Sequence, residues 1–463
     1  MANAPLQSKF VHLHLHSQYS LLDGGNRLDR LVKHVKAQGM DAVAVTDHGN
    51  LHGAVEFYNL ARAQDIKPIL GIEAYVAPDI GNNKSDRTNR EFTGVSDGGF
   101  HLVLLAENNQ GWANLLKLSS DAFINGFYFK PRMDKTTLAK WTSGLIAING
   151  HLGSSIAFHL VKYHRDKDPS HYERAKQEAI WHKELFGTND AGDPCFYLEM
   201  QRHEEKLQDE INPYIKQLAK ELDIPLVCDN DAHFMTADDW DAHGTLCCIS
   251  MGKIKHDENR LHYPRDLYVK SPAQMIEAFA DTPEAVENTV KIADRCNVEL
   301  DFDANFAPVV NPVFGKQLQQ LLDKGTTPDA IPVAYESDEA IGSNKWLKDF
   351  CAQIVVEPVK EEDSEETGDD GGGLSPCPEN PKPTREELEK QCDLALRLLC
   401  EAGLVWRYGV KGITQEIRER LERELKVLSD KMISAYFIIC WDFVNYGRQN
   451  DIPCNARGSG VGT

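Results

Sequence analysis

The sequence lacks any apolar run approaching the roughly 20 residues that a membrane-spanning helix needs. Its first residues, Met1 to Pro5, also lack the basic and apolar regions of a signal peptide. The eleven cysteines include no Cys-x-x-Cys pair, and their number is odd. These absences argue against a membrane-embedded protein and against a secreted domain held by disulfides. They favour a cytoplasmic protein with reduced thiols and no membrane partner.

Positive charge is also scarce, because 50 Lys and Arg residues face 71 Asp and Glu residues and the net charge is −21. By itself this balance argues against a nucleic-acid surface. Part of the charge is local, since the stretch from Val356 to Asn380 holds nine acids and one lysine. Any contact with DNA must therefore come from local basic patches or from chain outside this sequence.

Strand-like and helix-like segments alternate over about the first 235 residues. Seven short segments rich in Val, Ile, Leu or Phe are predicted strands: 10–16, 42–47, 68–77, 101–106, 145–149, 196–200 and 225–229. Helical patterns between them cover 27–38, 54–64, 112–122, 172–185 and 207–222. This alternation predicts an α/β domain with a parallel sheet and right-handed crossovers. A distorted seven-stranded (β/α) barrel is favoured, and an open doubly wound sheet is the alternative.

The end of the chain has a different pattern. It becomes helical near residues 271–296, and an acidic stretch rich in Gly, Pro and Ser, about 355–384, reads as a disordered insertion. Two amphipathic helical patterns and an apolar run, 436–444, follow. A chain of 463 residues is long enough for two or three domains, and we place a boundary at 280/281.

Residue types that bind metals recur at or near the predicted strand ends. They are His14, His16, Asp23, His48, Glu73, His101, His151, Asp231 and His233. In a barrel the carboxyl ends of the strands share one rim, so these side chains are expected to meet. His101 fits less well, because it opens its strand rather than closing it. Glu73 is especially informative, since a carboxylate inside an apolar strand needs a partner or a cation.

Nine candidate ligands are enough for about two or three divalent cations. Mixed imidazole and carboxylate ligands favour Zn²⁺ or Mn²⁺ over Ca²⁺ or Mg²⁺. Cations in such a cluster activate water and clamp phosphoester oxygens, so the pattern predicts metal-dependent phosphoester chemistry. The predicted catalytic groups are the carboxylates Asp23, Glu73 and Asp231.

Two further motifs point to nucleic acid. The stretch 126–132 interleaves aromatic residues with Lys130 and Arg132, which we predict to contact DNA, although an ordinary loop with a buried aromatic anchor is an even alternative. A glycine-rich loop near the end would expose amide groups to phosphates, and its candidate phosphate-binding residues are Arg457, Gly458, Ser459, Gly462 and Thr463, which the family resemblance given below implies to be nucleotide-binding.

Together these motifs resemble the C-family of bacterial replicative DNA polymerases, the DNA polymerase III alpha subunits. The segments that resemble the amino-terminal PHP (polymerase and histidinol phosphatase) domain of that family are 10–17, 46–51, 67–76, 100–102, 114–118, 129–132 and 229–233. The stretch 436–443 and the glycine-serine loop resemble the start of the family's palm domain. The resemblance spans nearly the whole chain except about residues 315–384.

The resemblance implies a PHP domain over 1–280 and an incomplete α+β palm over 281–463. The family's metal ligands fall on the nine positions given above, with His151 where relatives usually have cysteine. A complete ligand set implies a metal-dependent 3′–5′ exonuclease that could proofread. The family's catalytic aspartates, which hold Mg²⁺, are expected beyond Thr463, so this stretch alone is not expected to polymerise DNA.

The resemblance also implies partners. They are primer-template DNA and replisome subunits such as a sliding clamp and a separate proofreading exonuclease. Two other functions stay open on the residues alone. One is a stand-alone PHP phosphoesterase acting on small phosphate esters, which would have no use for the palm-like end. The other is a metal-stabilised scaffold that docks the separate exonuclease and has no nuclease activity of its own.

Overall fold

The computed structural model describes residues 9–78, 99–203, 205–257, 259–260, 262–302, 309–359 and 383–454. The chain forms two compact units, Met1–Leu300 and Asp301–Thr463. The first unit thus extends past residue 280, where the sequence places the end of the first domain. Helix α10, Pro283–Arg295, packs against strand β7, Leu226–Asp229, within this unit. The assignment of functions to the two domains stays a prediction.

The first unit is built on a curled, seven-stranded mixed sheet. Its strands are β1 (Ala42–Val45), β2 (Lys67–Val76), β3 (Phe100–Ala106), β4 (Arg132–Met133), β5 (Leu145–Asn149), β6 (Phe196–Gln201) and β7 (Leu226–Asp229). They lie in the order β1-β2-β3-β5-β6-β7, and β4 pairs with β2. The sequence predicts a parallel sheet, but the observed sheet is mixed, because β3 runs antiparallel to both β2 and β5. Parallel neighbours would need a crossover connection, whereas an antiparallel pair does not.

The prediction of a regular strand over 10–16 is wrong. This segment is extended, but only isolated hydrogen bonds and bridges join it to its neighbours. The Ala44 and Thr46 amides donate to the carbonyls of His12 and Leu15 at 2.8 and 2.9 Å. On the other side, Leu15 forms a parallel bridge with Ala232, just after β7. The segment therefore joins the two edges of the sheet, and the first unit is the distorted α/β barrel that the sequence predicts.

Helices cover the outside of this barrel, as expected when each helix buries one apolar stripe. They are α1 (Leu28–Ala37), α2 (Ala54–Arg62), α3 (Asn109–Asn125), α4 (Lys135–Leu138), α5 (Ser155–Asp166), α6 (Pro169–Phe186), α7 (Lys206–Leu222), α8 (Trp240–Met251), α9 (Pro272–Ala278) and α10 (Pro283–Arg295). In α1, for example, Leu28, Leu31, Val32 and Val35 are buried, at helical spacing. The core between helices and sheet fixes the strand ends on which the site is built.

The second unit has α+β architecture. An antiparallel pair, β8 (Val310–Phe314) and β9 (Ile354–Pro358), packs with helices around its own apolar core. The helices are α11 (Lys316–Asp323), α12 (Ile331–Ala334), α13 (Asn344–Cys351), α14 (Arg385–Tyr408), α15 (Gln415–Asp430) and α16 (Ser434–Gln449). Helix α14 begins with a capping box between Thr384 and Glu387. The start of the predicted insertion is strand β9, and residues 360–382 of it lie outside the described residues.

Every cysteine in the described residues is unpaired. Within the same residues, none of the helices combines the length and the apolar character that a membrane span requires.

Candidate metal centre

All nine predicted ligands meet at one rim of the barrel. His14 and His16 lie on the extended segment, His48 follows β1, Glu73 lies in β2, and His101 lies in β3. The remaining ligands follow the ends of β5 and β7: His151, Asp231 and His233. Asp23 comes from the turn after the extended segment, where its amide donates to the Ser20 carbonyl at 3.0 Å. The rim therefore gathers side chains that are more than 200 residues apart in sequence.

The antiparallel direction of β3 explains how His101 reaches the site. His101 is paired with Tyr75 in the ladder between β2 and β3. Because β3 runs antiparallel to β2, its beginning lies at the rim where the parallel strands end. His101 begins its strand, which argues against a ligand in the sequence, but the antiparallel direction of β3 places that beginning at the rim. Its Nδ1 lies 2.8 Å from Glu73 Oε1.

Glu73 is the centre of the cluster, because five imidazoles approach its two oxygens. Oε1 lies 2.8 Å from His101 Nδ1, 3.0 Å from His151 Nε2 and 3.4 Å from His14 Nε2. Oε2 lies 2.5 Å from His48 Nδ1 and 3.4 Å from His16 Nε2. The glutamate is 1% exposed, so its charge is compensated by these neighbours and not by water.

The other two carboxylates extend the cluster on either side. Asp231 Oδ1 lies 3.0 Å from His16 Nε2 and 3.4 Å from His14 Nε2. Asp23 Oδ2 lies 3.1 Å from His48 Nε2, and its Oδ1 is 4.0 Å from His233 Nε2. Asp23 has 26% and Asp231 19% of its side chain exposed, whereas the Glu73 side chain is 2% exposed. The cluster is thus open to solvent at the two aspartates.

The charges of the cluster shift the pKa values of His48, His151 and His16 strongly. Burial lowers the pKa of a histidine, but the Glu73 charge and the Asp23 hydrogen bond outweigh it and raise the pKa of His48 to about 10. Burial also lowers the pKa of His151, but hydrogen bonds to Glu199 and Glu73 outweigh this effect and raise the pKa to about 9. His16 differs, because burial and the nearby His48 and His233 lower its pKa to about 3.

The carboxylates shift in the opposite direction. Burial raises the pKa of Glu73, yet the positive charges of His101, His48 and His14 hold it well below its usual range. The pKa of Asp231 is also held well below its usual range, because His14 and His233 outweigh the effect of burial. Protons on His14, His48 and His151, whose pKa values are raised, therefore balance carboxylate charge in the metal-free chain, and bound cations would displace them.

Buried polar atoms without a hydrogen-bond partner test whether this residue set fits metal ions. Several nitrogen and oxygen atoms that point into the cluster have none: His14 Nε2, His16 Nε2, Glu73 Oε2, Asp231 Oδ1 and His233 Nε2. Three groups of ligand atoms within the cluster each lie within 4.8 Å of one another: His16 with His48 and His233, His14 with His16 and Glu73, and His48 with Glu73 and His101. Since buried polar atoms are normally satisfied, atoms left open at one point indicate cation sites. The nine residues fit about two or three divalent cations.

The sequence analysis missed a tenth residue of the centre, Glu199 in β6. Its side chain is fully buried, and Oε1 accepts a hydrogen bond from His14 Nδ1 at 3.0 Å. Oε2 lies 3.4 Å from His151 Nδ1. Although burial opposes it, the charge of His14 lowers the pKa of Glu199 to about 2. The signal was present, because Glu199 is a lone acid within the apolar run 196–200, as Glu73 is in β2.

Asp47 supports the opposite side of the centre. His16 Nδ1 donates to Ser20 Oγ at 3.0 Å, and Ser20 Oγ donates to Asp47 Oδ1 at 2.7 Å. Ser17 adds a backbone and a hydroxyl hydrogen bond to Asp47, both 2.7 Å long. Carboxylates that orient metal-binding histidines in this way fix which ring nitrogen faces the metal. His14 and His16 therefore both present Nε2 to the cluster.

Two other histidines near the rim have structural roles. His12 Nε2 donates to the Lys270 carbonyl at 2.9 Å, so it does not join the cluster although it alternates with His14. His243 Nε2 donates to the Asp23 carbonyl at 2.6 Å and holds the turn that carries this ligand. His243, Cys247 and Asp23 form a further group of possible metal ligands. The Asp23 carboxylate, however, contacts His48 and so belongs to the main cluster.

The two predicted DNA contacts differ in the structure. Lys130 is partly exposed, and its ammonium lies 5.4 Å from the centre of the Tyr75 ring. Arg132 is only 4% exposed and lies over the Tyr128 ring at 5.4 Å, so its guanidinium anchors the loop. The predicted nucleotide-binding residues Arg457, Gly458, Ser459, Gly462 and Thr463 lie outside the described residues.

Replacing Glu199 with glutamine tests its supporting role. Loss of the carboxylate weakens the hydrogen bonds that orient His14 and His151. We therefore expect the Mn²⁺ concentration that gives half-maximal phosphoester hydrolysis to rise about 10–100-fold. The rate at saturating Mn²⁺ should change much less. The matched control is Glu178→Gln, which removes the charge of a half-buried glutamate that pairs with Lys135 outside the cluster. An unchanged Mn²⁺ requirement in Glu199→Gln would contradict this role.

Comparisons with known proteins agree with these observations. Residues 12–203 match the PHP domain family, and residues 394–463 match the family described as the bacterial DNA polymerase III alpha NTPase domain. The chain is 35% identical over 459 residues to DNA polymerase III subunit alpha of Borreliella burgdorferi, covering 99% of this chain and 32% of that protein. The subunit of Campylobacter jejuni is 34% identical over 98% of this chain and 33% of that protein.

The chain therefore spans about a third of the length of the curated relatives it matches. Among solved structures, an amidohydrolase from Chromobacterium violaceum matches 48% of this chain and 87% of its own, with 15% identity and a TM-score of 0.29. A score this low supports no conclusion about the site.

Proposed function

Because the chain belongs to the bacterial DNA polymerase III alpha family and carries its PHP domain, we propose that its first unit is a metal-dependent 3′–5′ exonuclease. The observation that carries this proposal is the convergence of nine ligand side chains around Glu73, with buried polar atoms left open toward one point. Glu73 lies between five imidazoles, a position suited to a carboxylate that bridges cations.

Zn²⁺ or Mn²⁺ fits the mixed imidazole and carboxylate set, and such ions supply Lewis acidity that lowers the pKa of water and offsets phosphate charge. His14, His16, His48, His101, His151 and His233 would hold them together with Asp23, Glu73 and Asp231. Glu199 and Asp47 keep the imidazoles of His14 and His16 in the orientation in which Nε2 faces the ions.

The most exposed part of the cluster is where substrate would enter. Asp23 is the most exposed of its carboxylates, and His48 Nε2 lies 3.1 Å from Asp23 Oδ2. The Asp23 carboxylate is therefore placed to take the proton that an attacking water gives up. Water oxygen bonds to phosphorus and the bond from phosphorus to the O3′ of the preceding nucleotide breaks. The products are a 5′-mononucleotide and a strand with a new 3′-hydroxyl.

The remaining parts of the proposal concern the longer protein. DNA synthesis with Mg²⁺, primer-template DNA and replisome partners such as a sliding clamp belong to it, because the relatives that carry the polymerase name are about three times as long as this chain. A cytoplasmic location fits the unpaired cysteines of the described residues.

The test is the release of mononucleotides from a 3′-labelled single strand in the presence of Mn²⁺ or Zn²⁺. We expect release by the wild type and a loss of about a thousandfold or more in the Asp231→Asn, His233→Ala double variant, which removes two ligands at once. An aryl phosphate monoester serves as the competing small substrate. If the ester is hydrolysed and the strand is not, the small-ester phosphoesterase is the correct function. If neither is hydrolysed although metal is bound, catalysis is excluded and the scaffold function stands.

A further inference from the structure

The loop 126–132, called here the aromatic loop, exposes two phenylalanine rings. Phe127 is 54% and Phe129 80% exposed. The Tyr128 amide donates to the Lys130 carbonyl at 3.1 Å, so the loop turns tightly with Phe129 at its tip. Phe129 has a φ of +59°, a left-handed conformation that is strained for a bulky residue. Strain and exposure of one large apolar residue indicate that the ring is displayed for contact and not for folding.

The aromatic loop is held rigidly from behind. The guanidinium of the buried Arg132 lies 5.4 Å from the Tyr128 ring centre, and its Nε donates to the Gly126 carbonyl at 3.5 Å. Strand β4, which begins at Arg132, pairs with β2. Tyr128 is thus drawn inward, and the alternate residues Phe127 and Phe129 are directed outward.

The aromatic loop also borders the metal centre. Lys130 Nζ lies 5.4 Å from the Tyr75 ring, and that ring lies 5.0 Å from the His101 ring and 6.2 Å from the His48 ring. A β-carbon on Gly49, next to His48, would come 2.8 Å from Pro131 Cγ. The side chains of His48 and His101 are 13% and 17% exposed, so the loop stands at a part of the rim that solvent reaches.

We propose that Phe127 and Phe129 form a stacking platform for the bases of a single DNA strand, and that Lys130 contacts its phosphates. This inference rests on the proposed nuclease function, whose substrate class it narrows to unpaired 3′ ends. Aromatic rings bind bases of any sequence through their π-faces, and a cation beside them contacts the backbone. In a duplex every base face except the outer face of the terminal pair is already stacked, so a paired end offers the platform much less to bind than a single strand does.

The occupant that fits this rim best is nucleic acid. The net charge of −21 argues against a nucleic-acid surface elsewhere on the chain, but here Lys130 places a positive charge beside two exposed rings, which suits phosphates next to stacked bases. The platform is also continuous with the cluster that would cut the strand. A protein that docks on the same rings is the competing outcome of the test.

The experiment measures the affinity of the full chain for a fluorescein-labelled ten-nucleotide oligothymidylate. Its 3′-terminal linkages are phosphorothioates that resist hydrolysis, and Mn²⁺ is present. We expect Phe127→Ala, Phe129→Ala to raise Kd tenfold or more, and Phe127→Trp, Phe129→Trp to restore it. The control, Phe443→Ala, removes a 71% exposed phenylalanine from α16 in the second unit and should leave Kd unchanged. A blunt hairpin of equal length should bind weakly to every variant.

The outcomes separate this inference from the proposed function. Hydrolysis of the aryl phosphate monoester should be equal in the wild type and the double alanine variant, because the platform does not touch the metal ligands. A loss of strand affinity with equal ester hydrolysis supports the platform. An unchanged Kd in the double alanine variant overturns it, and binding of a replisome protein that is lost in that variant would assign the rings to a protein partner. If no substrate is hydrolysed by the wild type, the nuclease proposal fails while the affinity measurement still decides the platform.

Discussion

Glutamine in place of Glu73 is expected to abolish nuclease activity, with a loss of about a thousandfold or more. Glu73 contacts five of the six ligand histidines, and no other carboxylate in the cluster contacts more than three. The substitution keeps the size of the side chain but removes the charge that holds His48 and His101. Glu73 would hold the cations together with these imidazoles, so the variant would lose the carboxylate at the centre of the ligand set. Release of mononucleotides from a 3′-labelled strand measures the effect.

The control for this prediction is a buried glutamate that contacts no ligand. Glu107 follows β3, and its Oε1 accepts a hydrogen bond from Arg295 Nε at 2.9 Å. Removing one partner of a buried ion pair destabilises a protein by about 3–5 kcal/mol, so both Glu73→Gln and Glu107→Gln should lower stability. At a low temperature at which both variants are folded, Glu73→Gln should lose nuclease activity and Glu107→Gln should keep it. Equal activity losses in the two variants would show that instability, and not the metal centre, is responsible.

Chelation of the bound metal should destabilise the first unit and leave the second unit unchanged. Ions that bind only the folded chain at about a thousand times their Kd add about 4 kcal/mol to its stability. For a unit of this size that corresponds to a fall in Tm of about 10 °C on chelation. Hydrogen exchange followed by mass spectrometry locates the effect: peptides covering 10–16 and 226–233 should lose protection, and peptides of α14 should not.

The effect of chelation should also grow with pH. In the metal-free chain the pKa values of His48 and His151 are raised to about 10 and about 9 by neighbouring carboxylates that outweigh burial. Their protonated forms therefore stabilise the fold fully below about pH 6.5, and this contribution is lost as pH rises through 9 to 10. Bound cations replace those protons and bind more tightly as pH rises. The Tm difference between loaded and chelated protein should thus be larger at pH 9 than at pH 6.5; a constant difference would contradict the exchange of protons for metal.

Much of the barrel could be predicted from the sequence because its strands are short apolar runs bounded by turn residues. Strand β5 has the predicted bounds, β3, β6 and β7 differ from prediction by one residue at one end, and β2 is shifted by one residue at both ends. The amphipathic helices α2 and α7 also lie where the 3.6-residue pattern puts them. These features are local, since each depends on side chains within one segment.

Features that depend on distant contacts were harder to predict. Strand β3 runs antiparallel to β2, and no helical pattern was predicted between the two segments, which is the signal that they need not pair in parallel. Segment 10–16 has the apolar alternation of a strand, yet its neighbours bond to it only at scattered points. The two-residue strand β4 is too short for any periodic pattern.

The candidate site was more predictable than the fold details, for a physical reason. Polar residues in apolar strands are costly unless they are satisfied, so Glu73 and the histidine pairs stand out in the sequence. Glu199 is also a polar residue in an apolar strand. The sequence does not predict it as part of the site, because it orients the ligands and does not follow a strand end. Arg132 shows the reverse error, since a cation among aromatic residues was read as a DNA contact but lies buried on Tyr128.

The number of divalent cations bound per chain tests the central claim most directly. Elemental mass spectrometry of the native wild-type protein, after exchange into metal-free buffer, should find about two or three Zn²⁺ or Mn²⁺ ions, and Glu73→Gln should retain at most one. Glu107→Gln should match the wild type. A wild-type chain that binds no ion, or a Glu73→Gln variant that keeps the full number, would contradict a single polynuclear centre built around Glu73.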